Sequence, residues 1–294
     1  MLYELVRCPK CSHTWLKDAP RLEEMAEHYG PYYDRFITAA GESSPDKARG
    51  RAEVVERYKS SGALLDLGCS SGAFLESLQS GNWQLFGIEV SAETARRAEE
   101  TTGARVFVGD ILEAPFPPES FDVITCFDVL EHVHEPKSVL EKVHRWLKPG
   151  GIFYTQLPNI NSGEARLFKS FWYGLELPRH LQHFSPEAMR YLADLVGLQE
   201  VSIETHRNSA LEYSLRYVKD DLLKQIGVTR PCLAEANPPR LPWKVIRKAL
   251  RWTAFPALYY MSRTRGSGES IHAVLQKAAV PADRAGRPVG DART

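Results

Sequence analysis

The stretch at residues 64–75, LLDLGCSSGAFL, with FGIEV following at 86–90, constrains the fold of this chain more than any other segment. Residues 63–67 form a short apolar run of the kind buried in a parallel sheet, and 72–78 has helical spacing, with Phe74, Leu75 and Leu78 on one face. Between them, Gly68 and Gly72 allow a tight turn and the close approach of a ligand where a Cβ would collide. A second strand over 85–90 carries Glu89 to its carboxyl end, where a carboxylate of an open α/β sheet can accept from both hydroxyls of a ribose. A strand, a glycine turn, a helix start and an acid about 20 residues on are the parts of a nucleotide-binding βαβ unit. An adenosine-bearing cofactor is expected. The turn reads D-x-G-x-x-x-G, so it departs from the dinucleotide fingerprint at Asp66 and again at Ser70.

The rest of the chain keeps the alternation. A helix over about 47–59 leads into the first strand, and helix 92–101, strand 105–108, strand 121–126, helix 137–146 and strand 152–156 follow, the last after the Pro149-Gly150-Gly151 turn. This pattern predicts a doubly wound parallel sheet. PRHLQHFS at 178–185 then precedes a helix capped by Ser185, with Pro186 at its first position, which Gly197 ends before a strand over 199–205. Residues 206–268 are polar, proline-containing and aromatic-basic, a final strand is predicted over 270–276, and the tail from Pro281 has the composition of a disordered segment.

Composition excludes some partners. Lys plus Arg and Asp plus Glu both number 37 in 294 residues, which disfavours a phosphate-tracking groove, so no nucleic-acid partner is expected. The N-terminus lacks the apolar core of a secretory leader, and the longest apolar run, near 252–261, is too short to span a bilayer. Five cysteines, an odd number, suit a reducing compartment, and the protein is expected to be cytoplasmic.

Taken in order, Asp66-Leu-Gly68-Cys-Ser-Ser-Gly72, Glu89, GDI with Asp110, FDVITCFDVLEHV at 121–133 and LKPGG at 147–151 resemble class I S-adenosylmethionine-dependent methyltransferases. The similar members are of the small-molecule type that includes the ubiquinone-pathway O-methyltransferases. The likeness runs over about residues 60–205. It implies a Rossmann-like, doubly wound α/β sheet of seven strands with the last antiparallel, plus a helical N-terminal segment and an insertion before the last strand. The implied division is a knuckle and helical lid at 1–50, the cofactor-binding core at 51–205, a helical acceptor cap at 206–268, the final core strand at 269–278 and the tail at 279–294.

The implied cofactor is S-adenosyl-L-methionine, and the implied cofactor-binding set is Asp66, Gly68, Cys69, Gly72, Glu89, Val90, Asp110, Ile111, Phe127, Asp128 and Tyr33. Asp66 holds the turn or a water near the methionine amino group, Glu89 reads the ribose, and Asp110 accepts from the adenine amine while Ile111 packs on the ring. Phe127 and Asp128 face the cofactor across the same cleft, and Tyr33, or its neighbour Tyr32, covers it. A hydroxyl or amine acceptor must lose a proton, for which histidine is suited. His132, His180 and His183 are the candidate bases, with His180 foremost because it sits in a loop beside Arg179. A short-chain dehydrogenase is the rival enzyme class, but no Tyr-x-x-x-Lys pair occurs and Asp66 stands where a dehydrogenase wants glycine. A non-catalytic cofactor-binding scaffold is the third reading.

Two segments stand apart. Cys8 and Cys11, in RCPKCSHTW, have the spacing of half a zinc ribbon. Some similar methyltransferases carry a complete four-cysteine ribbon before the catalytic domain. The second pair is missing here, His13 and His28 are the nearby substitutes, and a vestigial knuckle without metal is expected. At 241–263, Lys244, Lys248 and Arg251 share one helical face and Trp243, Ile246 and Leu250 another. That pattern suits a lid helix packed on the core, a peripheral membrane contact that receives a lipid-linked acceptor in place of a small molecule or glycan unit, or an oligomer interface.

Overall fold

A computed structural model describes residues 3–28, 44–79, 81–207, 211–225 and 267–279. In chain order the elements are β1 (Leu5–Arg7), β2 (Thr14–Leu16), the helical turn α1 (Leu22–Met25), α2 (Pro45–Tyr58), β3 (Ser61–Leu67), α3 (Ala73–Glu76), β4 (Asn82–Glu89) and α4 (Ala92–Thr102). They continue with β5 (Arg105–Val108), β6 (Phe121–Phe127), α5 (Pro136–Trp146), β7 (Leu147–Pro158), α6 (Gly163–Phe168), β8 (Gln182–His183), α7 (Pro186–Leu195), β9 (Leu198–His206), α8 (Leu211–Gln225) and β10 (Ser270–Lys277). By packing, the chain falls into two compact units, one of residues 36–156, 189–203 and 272–294 and the other of 1–35, 157–188 and 204–271.

The first of these units is built on a seven-stranded sheet of order β5-β4-β3-β6-β7-β10-β9, in which the last strand is antiparallel. The central strand β3 is parallel to β4 on one side and to β6 on the other, and its Leu64, Leu65 and Leu67 are fully buried. Leucines covered on both faces are what a central parallel strand requires. The helices carry clear local reasons. In α4, Ser91 caps the first turn, Ala95, Ala98 and Thr102 face inward and Gly103 closes the end in the left-handed conformation. In α5, Pro136 opens the helix and Val139, Leu140, Val143 and Trp146 fall on one buried face. In α2, Ser44 accepts the Lys47 N–H, and the inward face is Ala48, Arg51, Ala52 and Val55.

Two expectations change. The helix read over 72–78 is a single turn, α3, because Ser77 returns its hydroxyl to the Phe74 carbonyl at 2.6 Å and the chain then turns toward β4. The Pro149-Gly150-Gly151 turn is absorbed into β7, which pairs Leu147 with Phe121 and Ile152 with Val123 across a break in register. The N-terminal cysteine pair sits on a β-hairpin: in the second unit, β1 and β2 pair antiparallel and β2 pairs with β8.

That second unit has two apolar centres among its described residues. Leu16, Met25 and Leu181 form one, and Ala165, Phe168 and Trp172 form another, with Leu215 of α8 packed against it. No helix among the described residues is long and apolar enough to cross a membrane. Tyr32, Tyr33, Cys232, the basic amphipathic stretch 241–263 and the tail from 281 lie outside the described residues.

Candidate active site

Asp66, Glu89, Asp110 and Asp128 stand at or just past the carboxyl ends of the four neighbouring strands β3, β4, β5 and β6. Parallel strands put all four acids at one edge of the sheet, where open α/β sheets take ligands. Asp66 was expected in the turn after β3 and lies inside the strand, opposite Gly87 of β4 and Thr125 of β6. Its carboxyl is 3% exposed and accepts the Thr125 hydroxyl at 2.7 Å. Burial pushes it up to about 7, against the pull of the Thr125 bond and the Arg51 charge and with a further push from Glu89.

Glu89 staples two segments. Its Oε2 accepts the Ser70 N–H at 3.1 Å and its Oε1 the Ser91 N–H at 2.9 Å, which joins the glycine turn to the start of α4. A carboxylate has about four lone-pair positions, so these two bonds leave room for a diol. Val90 beside it is 73% exposed. Asp110 accepts the Leu112 N–H at 2.7 Å, and the preceding Gly109 N–H reaches the Glu89 carbonyl at 3.0 Å, so the ends of β4 and β5 are tied together. Ile111 is buried, and Cys69 is buried in the turn with its thiol pushed up by desolvation, an unreactive packing group.

The glycines serve the protein first. Gly68 has φ +70°, and a Cβ there would stand 2.5 Å from Val129; Gly72 has φ +87°, and a Cβ there would stand 2.9 Å from Thr102 and 3.1 Å from the Ala98 backbone. The loop after β6 and α4 therefore exclude a side chain at these positions.

Phe127 and Asp128 also differ from expectation. The Phe127 ring lies in the core against Phe74 and Tyr154, at 4.9 and 5.1 Å between centroids, with the Arg51 guanidinium 4.1 Å over its face. Asp128 has φ +57° and gives its Oδ2 to Arg51 at 2.7 Å and Lys47 at 3.0 Å, while its N–H reaches the Gln156 carbonyl at 2.9 Å. The charges of Lys47 and Arg51 outweigh desolvation and hold this half-exposed carboxyl at about 2. Arg51, 5% exposed in its side chain, also donates to the Gln156 amide oxygen at 2.8 Å. The sequence reading passed over it; a lone cation on the apolar stripe of Ala48, Ala52 and Val55 was the sign.

The histidines divide between the units. His132 follows Asp128 in the turn after β6, half-buried, with its N–H on the Val129 carbonyl at 2.9 Å. His180 and His183 belong to the other unit. The Nδ1 of His180 is 2.9 Å from the Gly174 carbonyl, which can only accept, and Nε2 is 2.9 Å from Glu176, whose other oxygen takes the Arg179 guanidinium. Both ring nitrogens thus face acceptors. His183 pairs with Thr14 on the small sheet, and burial, with the nearby His180 and His13, pushes it down to about 3. It is neutral and a weak base at pH 7.

A family model described as a methyltransferase domain matches residues 14–203. A ubiquinone biosynthesis O-methyltransferase of Pseudomonas aeruginosa is 30% identical over 176 residues, which cover 53% of this chain and 75% of that protein. Among solved structures, an S-adenosylmethionine-dependent methyltransferase of Archaeoglobus fulgidus superposes with a TM-score of 0.56 at 17% identity, over 84% of this chain and 100% of that one. Phosphoethanolamine N-methyltransferase 2 of Haemonchus contortus, in complex with S-adenosyl-L-methionine, superposes with a TM-score of 0.51 at 15% identity, over 83% and 59%.

Proposed function

We propose that this chain, which belongs to the methyltransferase-domain family and is a class I S-adenosyl-L-methionine-dependent methyltransferase, places the methyl group on an oxygen of a small molecule. The observation that carries the cofactor side of this reading is the ordered series Asp66, Glu89, Asp110 and Asp128 at successive strand ends. The oxygen acceptor rests on the O-methyltransferase relative.

The residues fit the cofactor. S-adenosyl-L-methionine presents an ammonium, a ribose diol and an adenine amine, all donors, and the site offers acceptors. Asp66 is buried beside Thr125 and would gain from an ammonium the countercharge that burial makes valuable. Glu89 would take the ribose diol and Asp110 the adenine amine, with Ile111 and the exposed Val90 as apolar surfaces for the ring and sugar. When bound, the cofactor supplies a methyl group activated by a sulfonium. The chain's own work is to hold the acceptor oxygen in line and to take its proton.

For that proton we choose His132 over the histidine foremost in the sequence reading. His132 stands in the turn that follows the acid-bearing end of β6, whereas His180 has both nitrogens directed at acceptors and His183 is too weak a base. His180, Glu176 and Arg179 would instead brace the 174–183 loop.

Calorimetry and product analysis test this. The chain should bind S-adenosyl-L-methionine and its demethylated product, and Glu89→Ala should weaken both by about 10- to 100-fold, the worth of hydrogen bonds to a charged group. Incubated with phenols, sugar alcohols and amines, it should yield methyl ethers by mass spectrometry. Methylation confined to amines would sink the oxygen reading. His132→Asn should flatten the acidic limb of kcat/KM against pH, and an unchanged limb would reject it as the base.

A further inference from the structure

Two acids of the second unit have no task in methyl transfer. The turn that follows β7 is stitched to the segment that precedes β10: the Asn159 N–H donates to the Glu269 carbonyl at 2.9 Å, the Asn159 side-chain amide to the Gly268 carbonyl at 2.8 Å and the Gly163 N–H to the Ser267 carbonyl at 3.0 Å. Asn159, Ser162 and Ser267 are buried, so the stitch is interior. Gly268 belongs to it by shape, since a Cβ there would stand 2.7 Å from the His206 carbonyl oxygen at the end of β9. Glu164 follows Gly163 and Glu269 follows Gly268, so this ladder brings the two acids together.

Glu164 does nothing visible for the fold. It is 7% exposed, and its Oε2 is out of solvent with no hydrogen-bond partner. Ser162, not Glu164, caps α6, its hydroxyl accepting the Ala165 N–H at 3.0 Å. Among the described residues no cation pairs with Glu164, and the charge that acts on it is that of Glu269, which also holds an oxygen out of solvent. Burial and that neighbour push the Glu164 carboxyl up to about 8, so the empty pair keeps a proton at neutral pH. A buried carboxyl without a partner is costly unless a ligand supplies one.

We propose that Glu164 and Glu269 form a binding site for the protonated end of a small primary or secondary alkylamine, whose N–H groups both carboxyls accept. Two acceptors suit an ammonium. A hard divalent ion wants six or more oxygens, and among the described residues no third acid, histidine or cysteine joins this pair. The surroundings favour a carbon-bearing cation over a hydrated one. Phe168 lies four residues beyond Glu164 on the same face of α6, is 8% exposed and packs with Ala165 and Trp172, so an apolar surface adjoins the acids. On binding, Glu164 releases its carboxyl proton to solvent and the amine keeps its own. The site needs no cofactor and is tested apart from the methyl-transfer reading.

The test is calorimetry on the full chain without cofactor, with n-butylamine as the probe and tetramethylammonium and magnesium as comparators. Butylamine should bind saturably and release close to one proton at about pH 7, read from buffers of different ionisation enthalpy, and much less at about pH 9. Tetramethylammonium has no N–H and should bind at least about 10-fold more weakly. Glu164→Gln keeps the shape and removes the charge, and should weaken butylamine by about 10- to 100-fold, as should Glu269→Gln. No saturable binding, binding without proton release, equal affinity for tetramethylammonium, or displacement of the amine by magnesium would each overturn the proposal, as would unchanged affinity in both variants. The wild-type measurements do not depend on whether any variant folds.

Discussion

Asp66 sits almost entirely out of water with a carboxyl that titrates near 7, well above the usual carboxylate range. The folded chain therefore holds a proton that the unfolded chain releases. Its contribution to stability is fully present below about pH 4 and is lost as the pH rises to 7, above which the ligand-free fold keeps a buried charge. Asp66→Asn should raise the unfolding midpoint of the ligand-free protein at pH 8 and change it little at pH 4, as read by thermal melts. Cofactor binding should show the opposite slope. Affinity for S-adenosyl-L-methionine should rise from pH 6 to 8 as Asp66 ionises to meet the ammonium, and the Asn variant should bind with a flat profile and about 10- to 100-fold more weakly. A wild-type affinity that falls across the same window would remove Asp66 from that role. Burial inside β3 is what raises this acid, against the pull of the Thr125 hydroxyl.

At the scale of elements, α2 is held to the sheet by Arg51, which joins Asp128 at the end of β6 to Gln156 near the end of β7. Arg51→Met should cost about 1–3 kcal/mol in chemical denaturation, since it strips a charged donor from both partners, and Arg51→Lys should recover only part because an ammonium lacks the planar fork. The pair also sets an acid limb. Asp128 is held at about 2, so its stabilising contribution is present above the usual carboxylate value near 4 and is lost between about pH 4 and 2. In Arg51→Met the loss of stability over that interval should shrink. This cluster marks the boundary of what local pattern reveals. β3, β4, the acids at their ends and α5 were legible because apolar runs, caps and turn residues act within a few positions. Arg51 required knowing what α2 packs on, and β8 is two residues whose pairing with the N-terminal hairpin spans 169 positions from His13 to Gln182. The packing of Phe127 against Tyr154 and of Gly68 against Val129 was hidden for the same reason, because these neighbours are remote in sequence.

For the whole molecule, a ligand that binds only the folded state adds RT ln(1 + [L]/Kd). Demethylated cofactor at 100 times its Kd should therefore stabilise the protein by about 2.7 kcal/mol, and a melt that does not move would show that the strand-end acids do not form a binding site. The sheet order has a different consequence, for synthesis. Among the described strands β10 is the last made, yet it lies between β7 and β9 and contributes the buried Ile271, Ala273, Val274 and Leu275. A nascent chain that has already emitted the whole cofactor-binding series still presents two raw strand edges with nothing to join them. Until residues 270–277 leave the ribosome, β7 stands as the edge of the parallel strands and β9 has no place on the sheet.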